Sequence, residues 1–192
     1  MNKIFIIFLA LVFISCENNI PFNQLEHDEQ FTYHENKKFT GIAIEKDDLD
    51  NIRIEKYYED GKNYLTKLYD SKKRIQSEWT YNNISVKVTR YHKDGSIESK
   101  ENFDPSYKRN GKSISYYKNG NLKNEWNFKN GLKHGIQKNY YPNGSISDER
   151  EMKNGVDDGF WKIYDRNGKL DKELYFKNDG SFISGPAAGQ DL

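Results

Sequence analysis

Residues 111–180 alternate apolar and polar positions in three blocks of equal length. Tyr116, Tyr140 and Tyr164 recur at intervals of 24 residues, and each is followed three residues later by Asn-Gly. After each Asn-Gly, alternate positions carry the larger apolar side chains, a period of two that is typical of a β-strand. Asn-Gly between two such runs is typical of a β-hairpin. Each block therefore predicts one hairpin with a type I′ turn at its tip.

Weaker copies of the block extend upstream to Phe39. Tyr91 precedes Asp94-Gly95 as Tyr116 precedes Asn119-Gly120, and a second glycine near each block end, such as Gly131, returns the chain to the next hairpin. A fixed period of this length is typical of repeats that stack on their neighbours. Residues 39–180 therefore predict an all-β fold, an elongated antiparallel sheet of stacked β-hairpin repeats. About six hairpins at about 4.8 Å per strand give a sheet about 60 Å long.

The chain begins with a different pattern. Lys3 precedes an unbroken run of eleven apolar residues, 4–14. This run is shorter than the about 20 residues of a membrane-spanning helix but matches the apolar region of a secretory signal. The run is followed by Ser15 and by Cys16, the single cysteine of the chain. The arrangement resembles a bacterial lipoprotein signal, which implies that residues 1–15 are removed and that Cys16 carries the lipid.

An ordinary free or buried thiol is the alternative for Cys16. A single cysteine cannot form an intramolecular disulfide, and a free thiol is a liability in an oxidising envelope, so we favour lipidation. Acyl chains contribute about 0.8 kcal/mol per buried methylene, so two or three chains would hold the protein on a membrane without a spanning segment.

Two segments flank the repeats. Residues 16–38 are polar and irregular, which predicts a flexible tether, mostly coil, between the lipid and the repeats. His27 and His34 lie in this segment among acidic residues, but nothing in a coil makes them converge on a metal ion, so we predict solvated side chains. The tail, residues 181–192, is expected either to cap the last strand or to be disordered.

Charge and composition limit the classes of partner and of fold that we expect. The chain has 30 basic and 29 acidic side chains, and loss of Lys3 with the signal would leave the two signs equal. Nucleic acids and anionic lipid surfaces are bound through a basic excess, so neither is an expected partner. Aromatic residues make up 15% of the chain, which favours strands with a half-solvated surface over a disordered polar chain.

The repeated pattern resembles the MORN-type repeat. It runs from a glycine through an aromatic residue, Asn-Gly, an aliphatic residue, a glutamate and a second aromatic residue to Lys-Asn-Gly, most clearly from Gly111 onwards. The resemblance is to the bacterial variant in proteins named as YwqK-family antitoxins. It implies a β-hairpin array and no defined catalytic motif. Similar repeats have been linked to membrane lipids.

A column of glutamates at the repeat spacing is the first candidate for chemistry. Its members are Glu78, Glu101, Glu125, Glu149 and Glu173. A ladder that binds cations or basic partners is one interpretation. Neighbouring glutamates would lie about 10 Å apart, so no shared metal ion is required. We favour the other interpretation, cross-strand pairing with lysines such as Lys138 and Lys162.

Catalytic and metal-binding patterns are weak. Residues 165–171 resemble the start of a calcium loop, but Lys169 and Leu170 stand where an oxygen ligand and a glycine are needed. The sequence contains no Ser, His and Asp set in a recognisable context. We therefore expect no metal ion, no cofactor and no enzymatic activity.

Tyr116, Tyr140, Trp161 and Tyr164 are the candidate interaction surface. Exposed tyrosine and tryptophan are typical anchors for a partner, although such residues also stack on one another to stabilise a sheet. The sequence predicts a lipid-anchored repeat protein of a bacterial cell envelope, attached to its membrane through Cys16, that acts as a non-catalytic scaffold for a protein or glycan. The alternative is an antitoxin-like or immunity-type binder of one toxin.

Overall fold

Asparagine and glycine turns divide the chain into short strands, and a computed structural model of the protein describes residues 19–183 of this arrangement. The predicted signal, Cys16 and residues 184–192 lie outside the described residues. A short 3₁₀ turn spans Phe22–Gln24. The strands are β1 (Asn19–Pro21), β2 (Glu26–His27), β3 (Thr32–His34), β4 (Lys37–Lys38), β5 (Gly41–Lys46), β6 (Ile52–Glu59), β7 (Lys62–Tyr69), β8 (Ile75–Tyr81), β9 (Val86–Tyr91), β10 (Ile97–Phe103), β11 (Gly111–Tyr116), β12 (Leu122–Lys129), β13 (Leu132–Lys133), β14 (Gly135–Tyr140), β15 (Ile146–Lys153), β16 (Val156–Tyr164), β17 (Leu170–Phe176) and β18 (Phe182–Ile183).

One long sheet contains fifteen of these strands, and β2, β3 and β4 form a separate small sheet. From β5 to β17 every strand except the two-residue β13 pairs with its sequence neighbours in antiparallel fashion, which gives six hairpins side by side. The predicted all-β, elongated antiparallel sheet of stacked hairpin repeats is confirmed.

The hairpin tips are not the predicted type I′ turns. At the first clear tip only Gly120 has a positive φ, of 85°. The N–H of Gly120 donates to the Tyr117 carbonyl, and the N–H of Tyr117 donates to the Asn121 carbonyl, each at 2.9 Å. This is a type I turn followed by a glycine bulge. The physical reason is loop length, because a three-residue loop needs only one left-handed residue, and the glycine supplies it.

Type I′ geometry occurs between the hairpins instead. Asn130 and Gly131 have φ values of 53° and 85°, and Asn154 and Gly155 have 50° and 88°. Each pair forms a two-residue loop, since Lys129 pairs directly with Leu132. Two left-handed residues in succession match the right-handed twist of the strands, which is why these loops also carry Asn-Gly.

The tip asparagine has a different role, which is to join neighbouring hairpins. Asn119 Nδ2 donates to the Pro142 carbonyl at 2.8 Å. Beside it, the Tyr117 hydroxyl donates to the Tyr140 carbonyl at 2.7 Å. The same two bonds recur one repeat later, from Asn143 to Arg166 at 2.8 Å and from Tyr141 to Tyr164 at 2.9 Å.

The pairing register assigns each side chain to one of two faces. Directly paired residues share a face, so continuous rows of side chains cross the sheet. On the first face, which we call the glutamate face, one row runs through eleven strands: Glu55, Lys67, Glu78, Thr89, Lys100, Ile114, Glu125, Lys138, Glu149, Lys162 and Glu173. The opposite face carries all three tryptophans and is called the tryptophan face.

Glu101 does not belong to the glutamate column, contrary to the prediction. Lys100 occupies the row position, and Glu101 pairs with Val88 on the tryptophan face. Lys100 follows Tyr91 at the same distance at which Glu125 follows Tyr116, whereas Glu101 lies one residue further along, and a shift of one residue moves a side chain to the other face of a sheet.

The predicted tether is also wrong over residues 19–38. β1 pairs in parallel with β5, the first strand of the hairpin array, and Leu25 is buried with Phe39, Ala43 and Tyr58. Ile20 and Phe22 pack against this cluster. These few apolar residues, scattered among polar ones, suffice to fold the segment over the end of the array. It is a cap, as the terminal units of repeat arrays require.

The beginning of the predicted tail is a strand. Phe182 pairs with Phe176 and Ile183 with Tyr175, so these two residues cover one end of β17. Of the two expectations for the tail, capping applies to this part.

The left-handed position of the tips allows a test by paired substitutions. Gly120 has nothing within 4 Å of an added Cβ, so Gly120→Ala should cost about 1 kcal/mol through backbone strain alone. Lys73 has a φ of 60° at the equivalent position, so Lys73→Gly should stabilise the protein by about 0.5 kcal/mol after the entropy of glycine is deducted. Urea unfolding measures the free energy of unfolding of both variants, which should fall for Gly120→Ala and rise for Lys73→Gly. A change of the same sign in both variants would contradict the assigned turn.

Candidate interaction face

The glutamate face is paired internally. Lys138 Nζ lies 2.6 Å from a Glu149 carboxylate oxygen, and Lys162 Nζ lies 3.7 Å from Glu173. Both pairs are the predicted cross-strand pairs. Lys112 contacts Glu125 from a diagonal position at 3.4 Å. The charges of this face therefore balance one another, and within the described residues the glutamates form no group that suits a metal ion.

Tyrosines complete this row rather than presenting a free surface. The Tyr140 hydroxyl donates to Glu125 at 2.7 Å, and that of Tyr164 to Glu149 at 3.3 Å. Burial first and this hydrogen bond second raise the pKa of Tyr140, since both favour the neutral phenol. In an upstream repeat, burial and a bond to Glu78 raise the pKa of Tyr91 to about 12.

The predicted interaction surface is thus divided between two faces. Tyr116, Tyr140 and Tyr164 lie half-buried on the glutamate face, and Trp161 lies half-buried on the tryptophan face. The structure does not bring these four residues together. Tyr140 and Tyr164 hydrogen-bond carboxylates, and Trp161 has different neighbours.

The tryptophan face combines aromatic rings with cations. Lys133 Nζ lies 3.9 Å from the ring centre of Trp126. The Arg150 guanidinium carbon lies 4.0 Å from the ring centre of Trp161, its direct cross-strand partner. Contacts of this kind hold a ring in a fixed orientation and stabilise by about 0.5–1 kcal/mol at partly exposed sites.

A buried charge lies in the middle of the same face. Glu101 is 8% exposed, and its two carboxylate oxygens lie 3.1 Å from Arg90 and 2.8 Å from Arg109. The arginines continue the aromatic pattern, because Arg90 lies 5.8 Å from the Trp79 ring centre and Arg109 5.1 Å from that of Phe128. One carboxylate therefore orders two cations over two aromatic rings.

Some polar groups of this face remain unused. Ser113 Oγ and Trp161 Nε1 are buried without a hydrogen-bond partner among residues 19–183. Lys133 forms no salt bridge within the described chain. Burial is the main cause that lowers the pKa of Lys133, and the nearby Arg150 adds to it. Of these groups Lys133, which is half-buried, is the one that a partner can reach.

Sequence reasoning missed most of this site. The period of two marks the positions of Trp79 and Trp126 only as apolar, and it does not connect the cations above the rings to them. Lys133 follows Trp126 by seven residues, and the two-residue loop at Asn130 and Gly131 brings it back beside β12. One feature of the sequence did distinguish this face. Arg150 is a charged residue at the repeat position where the other two blocks have the apolar residues Trp126 and Leu174.

A separate cleft of about 530 Å³ lies between the small sheet and the adjoining hairpin ends. Its amides are already occupied, since Asn63 Oδ1 accepts from the Leu65 N–H at 3.1 Å and Asn82 Oδ1 accepts from the Ser85 N–H at 2.7 Å. His27 bonds Thr32 Oγ1 at 3.0 Å. The cleft is a weaker candidate than the tryptophan face.

In the part of the chain that the structure describes, no helix has the length and apolarity to cross a membrane.

The balanced glutamate row predicts a pH-dependent stability. The Lys138 hydrogen bond, with a smaller contribution from Tyr164, lowers the pKa of Glu149 below its usual 4.5. The ionised Glu149 carboxylate therefore stabilises the folded state fully above pH 4.5, and this stabilisation is lost as the pH falls through the lower pKa that Glu149 has in the folded protein. Glu149→Gln should cost about 1 kcal/mol at pH 7.

Urea unfolding at pH 7 and pH 3 checks this prediction. The difference between Glu149→Gln and the unsubstituted chain should shrink at pH 3, when the carboxyl is protonated. Glu151→Gln is the matched control, because this neighbour is exposed and forms no salt bridge among the described residues. An equal loss in both variants at pH 7 would show that the row does not stabilise the sheet.

Three segments of the chain match the family model described as the MORN repeat variant, residues 109–130, 133–154 and 158–178. They contain the hairpins β11–β12, β14–β15 and β16–β17, in which the 24-residue period is clearest. No curated protein matches the chain. The matches confirm the MORN-type resemblance over these three blocks. The chain is therefore a repeat protein with three hairpins similar to the MORN repeat variant.

Proposed function

We propose that the chain is a lipid-anchored, non-catalytic scaffold of a bacterial cell envelope that binds a partner protein on its tryptophan face. The observation that carries this proposal is the placement of all three tryptophans on one face with a cation above each ring. Tryptophan and arginine are the residues that most often dominate protein interfaces.

The contrast between the faces supports the choice of surface. On the glutamate face, acids and bases neutralise each other in one row, so a partner would gain little by displacing them. On the tryptophan face, Trp126 and Trp161 lie three strands apart, about 14 Å, on a rigid sheet. Preorganised rings lose little conformational entropy on binding, which favours affinity.

The anchor is supported by the sequence alone. Lys3, the apolar residues 4–14 and Cys16 form the lipoprotein-like signal. Asn19 begins β1 on the capped edge of the sheet. A lipid on Cys16 would therefore hold the capped end close to the membrane, and the last hairpin would lie about 60 Å along the array.

Cys16→Ala tests the anchor. The substitution should move the protein from the membrane fraction to the soluble fraction of the native cells, because the acyl chains provide the only proposed attachment. The measurement is fractionation followed by immunoblotting, with Cys16→Ser as a second variant that lacks the thiol. Membrane retention in both variants would contradict lipid anchoring.

Trp126→Ala and Trp161→Ala test the binding face. Each should lower the recovery of the partner protein at least tenfold when the anchored chain is purified from native cells, as expected for the loss of an interface anchor. Ile136→Ala is the matched control, because Ile136 is 52% exposed on the glutamate face of the neighbouring strand β14.

Melting curves of each variant show whether the array remains folded. Trp161→Phe retains an aromatic ring under Arg150 and should keep part of the binding. Equal recovery with all variants would contradict the tryptophan face. If a glycan or a co-expressed toxin is recovered instead, the partner belongs to one of the other two expected classes of ligand.

A further inference from the structure

The two ends of the array are finished differently. At the first end, β1 pairs with β5, the first strand of the hairpin array, and the cap packs over the first hairpin. At the last end, β18 pairs only with Tyr175 and Phe176 of β17. Within residues 19–183, no strand pairs with the outer side of the rest of β17, residues 170–174. A free row of backbone N–H and C=O groups is a template for another strand.

Apolar side chains surround this edge. Phe160 and Tyr175 lie side by side on the glutamate face, with ring centres 5.1 Å apart, and are 50% and 40% exposed. Phe182 and Ile183 of β18 are 57% and 37% exposed. Natural sheets usually protect such edges with charges, proline or a covering segment, and this edge carries Asp171, Lys172 and Glu173. Here the edge is combined with exposed rings, which is typical of a docking site.

We infer that the outer edge of β17 binds an extended segment of another protein as an additional strand, with a basic residue opposite Glu173 and apolar residues on both sides of it. This surface is separate from the tryptophan face, and its occupation does not depend on the function proposed for that face. Binding by strand addition obtains affinity from main-chain hydrogen bonds and specificity from alternate side chains.

The array itself specifies the chemistry of the segment. Glu125 has Lys138 opposite on the next strand, and Glu149 has Lys162 opposite. Glu173 has Lys162 on one side only. A segment that continues this row would place a lysine or arginine beside Glu173. In β16 the lysine opposite Glu173 is Lys162, which stands between Trp161 and Ile163. A segment with the same apolar, basic, apolar order would also place an apolar side chain beside Leu174.

The tail of the same chain does not fit this description. If the pairing of β18 continued, Gly185 would fall opposite Glu173 and Pro186 opposite Lys172. Glycine offers no side chain to the carboxylate, and proline has no N–H for the ladder.

A second copy of the chain does not fit either. A two-fold pairing of β17 with itself places Asp171 opposite Glu173 when centred on Lys172, and Glu173 opposite itself when centred on Glu173. Like charges directly opposite are destabilising. A head-to-tail copy would need the other edge of the sheet, where β1 with Pro21 already covers β5.

The test uses the full chain and a labelled peptide with the sequence of residues 160–164, Phe-Trp-Lys-Ile-Tyr. Saturable binding by fluorescence anisotropy is expected, together with slower hydrogen exchange of the amides in residues 170–174. A second peptide has glutamate in place of the lysine and should bind about fivefold more weakly.

Glu173→Lys should reverse this preference, so that the glutamate peptide binds the variant better than the lysine peptide does. Glu151→Lys, an exposed position away from the edge, is the control and should leave the order unchanged. Melting curves establish that both variants are folded. Reversal of the preference, with protection of residues 170–174, supports the strand-addition site.

The other outcomes overturn the inference. Binding without protection of residues 170–174, or without dependence on residue 173, would mean that the peptide attaches elsewhere. Binding that appears only after residues 184–192 are removed would identify the tail as the occupant. A concentration-dependent dimer that the peptide dissociates would identify a second copy, and no saturable binding would show that the edge is closed.

Discussion

A sheet of one layer cannot bury either of its faces against a second layer. Each face must therefore provide its own packing and its own charge balance, and the rest of the structure follows from this constraint. Eight apolar residues are buried among the described residues, half of them in the cap cluster. Elsewhere, stability comes from rows of half-buried side chains that cover one another from strand to strand, each pair contributing about 0.2–1 kcal/mol.

The two faces meet this constraint in different ways. Lysine stems and tyrosine rings cover the glutamate face, while their polar ends pair with carboxylates, as in Lys138, Glu149 and Tyr164. The tryptophan face uses rings covered by cations. The first arrangement recurs with the repeat and pairs the glutamates of the row with lysines or tyrosines. The second varies between repeats, since Arg150 stands where the equivalent positions have Trp126 and Leu174.

Local signals in the sequence were sufficient for the hairpin order. The turn residues and the period of two each depend on neighbouring residues only, and they predicted an array of about six hairpins. Features that depend on register or on sparse contacts were not predictable in this way. Glu101 lies one residue beyond the row position and therefore on the other face, and the cap depends on Ile20, Phe22 and Leu25 within a polar segment. The cations over the tryptophans come from other strands, so spacing along the chain does not reveal them.

Repetition also limits where recognition can be specific. Identical repeats present the same surface at every step, so a partner has no reason to prefer one position along the array. Specific positions arise where the repeat is broken: at Glu101 with its two arginines, at Arg150 over Trp161, and at the end of the array, where Glu173 lacks a second lysine. Both proposed binding surfaces lie at such breaks. The regular part of the sheet holds these breaks at fixed distances from one another, which is what the proposed scaffold function requires.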